Sequence, residues 1–382
     1  MLSLLNGQLI KVLGCLHWLP AYAWQRVMRR QYRRGPVHLM IAVADHFEPS
    51  VVPEAPGTSA SQDEQERRLE RWCKEYPTVF HPWRDTDGQP FRHTYFYPAE
   101  QYDKALIDRL AEHCHAGWGE IEVQLHHGVH APDTAENTRR ILMEFRDTLA
   151  CHGCLSRWNG KGPLRYAFVH GNWALANSRR GCFCGVDQEM RILAETGCYA
   201  DLTLPSAPNR AQVAKINGLY ECALPLDRPA PHRKGRDLRS GRAPRTLPLI
   251  IQGPLGLNFS RRANGRLVPC IENGALTTLY PPSMHRLNLW CHAGITVIGR
   301  PDWLFIKLHC HGMDPRVEEA MLGAPMQQFL REVTSGARNG RDHHLHFVTA
   351  REMVNIALAA CDGRDGNPGE YRNYRLRLSS AT

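Results

Sequence analysis

The feature that most constrains this chain is a strand that ends in histidines. Residues 120–125, Glu-Ile-Glu-Val-Gln-Leu, alternate polar and apolar side chains, which predicts a short strand. It delivers His126, His127 and His130 into the segment before Pro132. His126 and His130 stand four apart and share a face if that segment coils into a helical turn. Imidazoles so placed suit zinc or another transition metal, with His127 as the alternative to His126. A further ligand must come from another strand end. Asp45-His46, closing the apolar run 37–44, offers one.

The same rhythm repeats. Helical periodicity is expected over 62–76, 101–115, 134–151, 187–196, 317–333 and 350–360, with strands at 93–98, 165–169, 199–204, 302–309 and 343–349. Strand, polar loop, helix and next strand predict an α/β fold with parallel strands. Active sites of such folds gather after the strands. Asp45/His46/Glu48, His126/His127/His130, His170/Asn172/Trp173 and His309/His311 all occupy such positions, and Asp201 falls within a predicted strand. Metal-assisted hydrolysis uses these residue types: imidazoles and a carboxylate hold the ion, and a second carboxylate and a histidine move protons.

At 382 residues the chain can bury a large core, and 43% hydrophobic with 22% charged residues excludes a disordered or fibrous chain. The +9 formal charge suits acidic partners. Arginine concentrates in 231–248 and 253–266, so a flexible basic loop insertion is expected at about 206–295. No helix-turn-helix, finger or RNA-sheet pattern accompanies the charge, so no specific nucleic-acid role is expected. The 13 cysteines are scattered without paired finger spacing, which argues for reduced thiols in a cytosol rather than a structural zinc module. Residues 1–34 carry Leu2, Leu5, Leu9, Val12, Leu13 and Leu16 at helical spacing, then Trp18, Trp24 and five arginines. Packing on the body of the protein is the favoured expectation for this basic amphipathic segment, with peripheral membrane contact the alternative. Residues 363–382 are expected to form a loose polar tail.

The order of these clusters resembles the polysaccharide deacetylases with a NodB-homology domain, carbohydrate esterase family four. That family's Asp-Asp strand end is similar to Val43-Ala-Asp45-His46, and its His-x-x-x-His to His126-His-Gly-Val-His130. Its third motif is similar to 168–173, its helix-Gly-x-x-x-Asp run to 185–201, and its Leu-x-His to Leu308-His309, with His311 close by. The resemblance spans roughly residues 37–205 and 300–360. It implies a distorted (β/α) barrel over 35–362 that removes N- or O-acetyl groups from a carbohydrate with a divalent metal, here expected to be zinc. The family holds the metal with Asp-His-His and uses the first Asp as base. His46 stands at the second Asp position, so the resemblance implies either His46, His126 and His130 around the metal with Asp45 as base, or Asp45 as ligand with the base lost or replaced by Glu48. His309 and His311 fall at the catalytic acid. His170 or Asn172 stands in for the missing Arg, with Trp173 and Asp201 completing the substrate side. A nucleotide- or lipid-linked sugar precursor, met in the cytoplasm or at the inner membrane surface, is the expected substrate.

Overall fold

The computed structural model describes residues 17–29, 36–55, 57–260, 262–263, 266–267, 269–338 and 343–378. Its strands are β1 (Val37–His46), β2 (His93–Pro98), β3 (Gly119–Leu125), β4 (Ser156–Trp158), β5 (Leu164–His170), β6 (Cys198–Asp201), β7 (Leu219–Cys222), β8 (Gly235–Asp237), β9 (Leu249–Ile251), β10 (Gly256–Asn258), β11 (Arg262–Ala263), β12 (Arg266–Leu267), β13 (Cys270–Glu272), β14 (Trp303–Cys310), β15 (His343–Phe347) and β16 (Leu376–Leu378). The α-helices are α1 (Leu19–Met28), α2 (Gln62–Phe80), α3 (Lys104–His113), α4 (Ala135–Cys151), α5 (Glu189–Thr196), α6 (Met284–Ala293), α7 (Glu318–Leu322), α8 (Ala324–Arg338) and α9 (Ala350–Cys361).

Twelve strands form one large sheet, ordered β14-β1-β2-β3-β5-β6-β9-β7-β8, with β15 also on β1 and β4 joining β5 to β16. Every pairing from β14 to β9 is parallel, and β7 and β8 turn antiparallel at the edge. The hydrogen-bonded path does not close on itself. Apolar residues cover both faces, as parallel sheets require. Leu39, Ile41 and Val43 pack with Leu69, Trp72 and Tyr76 of α2 and Leu106 and Leu110 of α3. Met40, Ala42 and Ala44 belong to the opposite layer with Met353, Val354 and Ala357 of α9. All twelve residues of α9 are buried, which explains why its sequence is apolar nearly all round. Side-chain caps fix the helix starts: Asp103 on α3, Thr134 on α4 and a Thr349/Glu352 capping box on α9.

Three expectations change. The stretch expected as a basic loop insertion contributes β7, β8 and β9 to the central sheet, because Leu219, Tyr220, Leu249, Ile250 and Ile251 are buried there and Arg236 pairs with Glu221. The helix expected over 317–333 breaks at Gly323, where a Cβ would overlap Glu319, and α8 restarts with Pro325 in its first turn. The tail is docked as far as residue 378: Leu376 is fully buried and Arg372 pairs with Asp85 and Asp87. The leucine stripe over residues 2–16 lies outside the described residues. Of the rest of that segment, Trp18 is buried beside Ala207, Ile216 and Leu255, so this part packs on the body. Among the described residues no helix is long and apolar enough to cross a membrane.

Buried Glu122 of β3 gives the fold a pH signature. Burial pushes its carboxyl up to about 8, against hydrogen bonds from Tyr199 and the Ala167 amide. An unfolded Glu titrates near ~4.3. Between these values the folded protein keeps a proton that the unfolded chain releases. Stability therefore falls as pH rises from about 4 to about 8, by roughly 1 kcal/mol per unit. Asp201 and the buried His170 also titrate in this range, so the expected result is a difference. Urea unfolding at stepped pH should show Glu122→Gln losing stability with rising pH less steeply than the wild type, and equal slopes in the two proteins would refute the assignment.

Candidate functional site

Parallel pairing brings several polar strand ends to one rim. Ala44 lies opposite His309 and Asp45 opposite Cys310, so His46 and His311, one residue further on, come together. Their rings are 4.8 Å apart, and the His309 ring lies 6.5 Å from that of His46. Glu48, two residues past β1, reaches the same place. Donor atoms of His46, Glu48 and His311 all lie within 4.8 Å of one another. From β3, Gln124 donates to Glu48 Oε1 at 2.5 Å, and His126 Nε2 stands 3.3 Å from the same oxygen. His126 Nδ1 is held by Glu100 Oε1 at 2.6 Å, just after β2. The His126 ring lies directly over Gly171, where any Cβ would overlap it.

Burial and charge divide the labour among these groups. Burial, with His311 beside it, keeps the His46 imidazole well below its usual range and therefore neutral. His309 is held neutral by burial and by Lys307. Burial opposes a charge on Glu48, yet hydrogen bonds to His126 and His311 hold its carboxyl well below the usual range. Burial likewise opposes a charge on His126, but Glu100 and Glu48 prevail and push it up to about 10. His46 Nδ1 is buried without a hydrogen-bond partner. Two imidazoles and a carboxylate form a donor set of the kind that holds zinc and related divalent metals, so these residues fit such an ion.

The pleat separates residues that adjacency in sequence had grouped. Asp45 points to the opposite face from His46. It is fully buried, bonded to His93 Nδ1 at 3.1 Å and to the Gly312 amide at 2.6 Å, so it is not the base at the rim. His170 also faces away: it is fully buried beside His127 and does not line the rim as a substrate contact. Residues 126–130 form no helical turn, and His130 is exposed, outside the cluster that holds His46. Asn172 and Trp173 are half-buried in the turn after β5, Trp173 with a left-handed φ of 58°. Asp201 is fully buried and accepts from Thr203 Oγ1 at 2.7 Å; burial pushes its carboxyl up to about 7. Lys307, buried on the same face as His309, donates to the Leu202 carbonyl at 2.8 Å, and burial brings it down to about 7.

Sequence reasoning did not single out Glu100, Gln124 or Lys307. Gln124 and Lys307 were visible as polar residues two before His126 and His309, on the same strand face. Glu100 carried no local signal, because only the turn after β2 brings it to His126. A large cleft at the far end of the strands is lined by Arg92, Glu120, Arg351 and Arg372. Their charges are paired with one another or with neighbours, so it lacks the free donors of the rim. Compared with known proteins, the chain matches no family model and no curated sequence.

Proposed function

We propose that this protein is a metal-dependent hydrolase that removes an acetyl or related acyl group from a carbohydrate. The observation that carries the reading is the meeting of His46, Glu48 and His311 at the strand ends, with His126 set against Glu48. The order of motifs that resembles the polysaccharide deacetylases supports the carbohydrate assignment and a distorted (β/α) barrel. His46, Glu48 and His311 would hold the ion, zinc by donor type. A bound divalent ion supplies Lewis acidity to an acyl carbonyl and lowers the pKa of water. His309, kept neutral by burial, takes a proton at a ring nitrogen. His126, charged and steadied by Glu100, gives a proton to the departing sugar oxygen or nitrogen. Exposed Trp24, Val27 and Met28 beside Arg26 on α1 suit an encounter with a lipid-linked, anionic precursor at the inner membrane surface, and a cytoplasmic nucleotide-linked sugar fits the same basic protein.

Metal analysis and acetate release from acetylated sugar precursors test the reading. His46→Ala with His311→Ala is expected to lose one metal equivalent per chain and to lower acetate release by more than ~100-fold. His130→Ala, at an exposed position, is expected to change neither. Unchanged metal content in the double variant would overturn the site. Asp45, turned away from the rim, favours one other reading, a carbohydrate-binding fold without turnover. Metal bound at His46 and His311 with no acyl release from any sugar ester or amide would establish that reading instead.

A further inference from the structure

Behind the rim lies a second set of donors that the proposed reaction does not use. His127, His170, Cys184 and Glu189 are all buried, and one donor atom from each lies within 4.8 Å of the others. They come from separate places: His127 follows β3, His170 ends β5, Cys184 lies in the loop after it, and Glu189 opens α5. Two imidazoles, a thiol and a carboxylate form a donor set for a four-coordinate zinc-class ion.

Two features point to a ligand rather than a self-sufficient hydrogen-bond network. His170 is fully buried, and neither of its ring nitrogens makes a hydrogen bond. A native interior rarely tolerates such a group. Its Nε2 faces Glu189 Oε1 at 3.9 Å, beyond hydrogen-bond reach. His127, in turn, is braced from behind in the manner of a metal-bound imidazole. Its Nδ1 meets Asp133 Oδ2 at 2.9 Å, and that oxygen also accepts from Thr138 Oγ1 at 2.8 Å. This bracing sets Nδ1 as the donor and turns Nε2 toward the cluster, 2.9 Å from Glu189 Oε1. Glu189 is similarly anchored by its other oxygen, which accepts the Ala176 amide.

We propose that His127, His170, Cys184 and Glu189 form a second, buried metal site for a zinc-class divalent ion, which ties together the loops behind the rim. The proposal uses none of the rim's ligands and goes beyond the deacylase reading. Bonds of ~2.0–2.3 Å to zinc place tetrahedral donors about 3–4 Å apart, so a small contraction of this set suffices. The two loops already interlock. The Phe183 amide donates to Gly128 O at 3.0 Å, and the Asp133 amide to Cys184 O at 2.7 Å. Gly128 has a φ of 61°, and a Cβ there would overlap the Cys184 backbone. An ion between His127 and Cys184 would lock that contact and set the position of His126, the preceding residue, against Glu48. Scattered cysteine spacing conceals such a site, because only one ligand is a cysteine and His127 lies more than fifty residues before it.

Cobalt reports on sulfur ligation directly. The full chain, stripped of metal with a chelator and titrated with Co²⁺ alone, is expected to show a thiolate-to-cobalt charge-transfer band in the near ultraviolet. Cys184→Ala should abolish the band and remove one zinc per chain from the protein as purified. Cys182→Ala, two residues away, should retain both. His46→Ala with His311→Ala should also keep the band, so failure of the rim site leaves this result intact and the two readings fail separately. X-ray absorption at the zinc edge of the wild-type protein needs no variant and should show sulfur in the zinc shell. A wild-type protein without a thiolate band and without zinc-edge sulfur, or a band that survives Cys184→Ala, would overturn the proposal.

Discussion

Replacing Glu48 with alanine is expected to lower acyl release by about 10²–10⁴-fold, the range associated with loss of a positioned proton-transfer or ligand group. The Glu48 side chain links the end of β3 to the histidine that follows β14. Its oxygens meet Gln124 at 2.5 Å, His126 at 3.3 Å and His311 at 3.4 Å. Alanine removes a proposed ligand and leaves two imidazoles without the carboxylate that orders them. Glu48→Gln keeps the shape and removes the charge, so its turnover is expected to fall nearly as far. A Gln124→Ala variant, which loses one supporting hydrogen bond and no charge, should fall much less. Turnover at saturating substrate, read with metal content and circular dichroism, separates these effects. A loss under about tenfold in Glu48→Ala would remove Glu48 from the reaction.

The largest effect on stability is expected at the other end of the strands. Arg351, at the start of α9, makes a two-pronged contact with Glu120 of β3, at 2.6 Å and 3.0 Å. It also donates to the Leu376 carbonyl at 2.8 Å and to Asn373 Oδ1 at 2.7 Å, tying helix, sheet and C-terminal segment together. Both charges are buried. Arg351→Met retains much of the apolar stem but strands the Glu120 carboxylate, which should cost about 3–5 kcal/mol. Adding Glu120→Gln to that variant removes the uncompensated charge and should recover a large part of the loss. Denaturant midpoints at constant slope measure both changes. A single-variant loss below about 1 kcal/mol would show that the pair contributes little. Neither substitution touches the rim, so metal binding there should survive at temperatures where the variants remain folded.

The rim was largely legible in the residues themselves. Apolar or alternating runs ending in polar clusters marked β1, β3 and β14, and parallel pairing lines up their ends. That is why His46, His126, His309 and His311 arrive at one edge. Helix starts are set locally by the side-chain caps Asp103, Thr134 and Thr349, although the helix expected from 101 begins only at Lys104, after its cap. What local pattern could not settle was direction and distance. Alternation along a strand separates Asp45 from His46, but only packing against α2 decides which of the two faces the helices. The same holds for His170, whose ring enters the layer under α4 and α5 rather than the rim. His130 needed a helical turn that the loop, pinned to residues 183–185, does not make. Glu100, Cys184 and Glu189 could be found only in three dimensions, because each meets partners many residues away. Periodicity and strand ends thus determined which elements exist and where chemistry gathers. The tertiary structure decided which side chains share a face and which donors lie within bonding reach, because these depend on burial against elements remote in the chain.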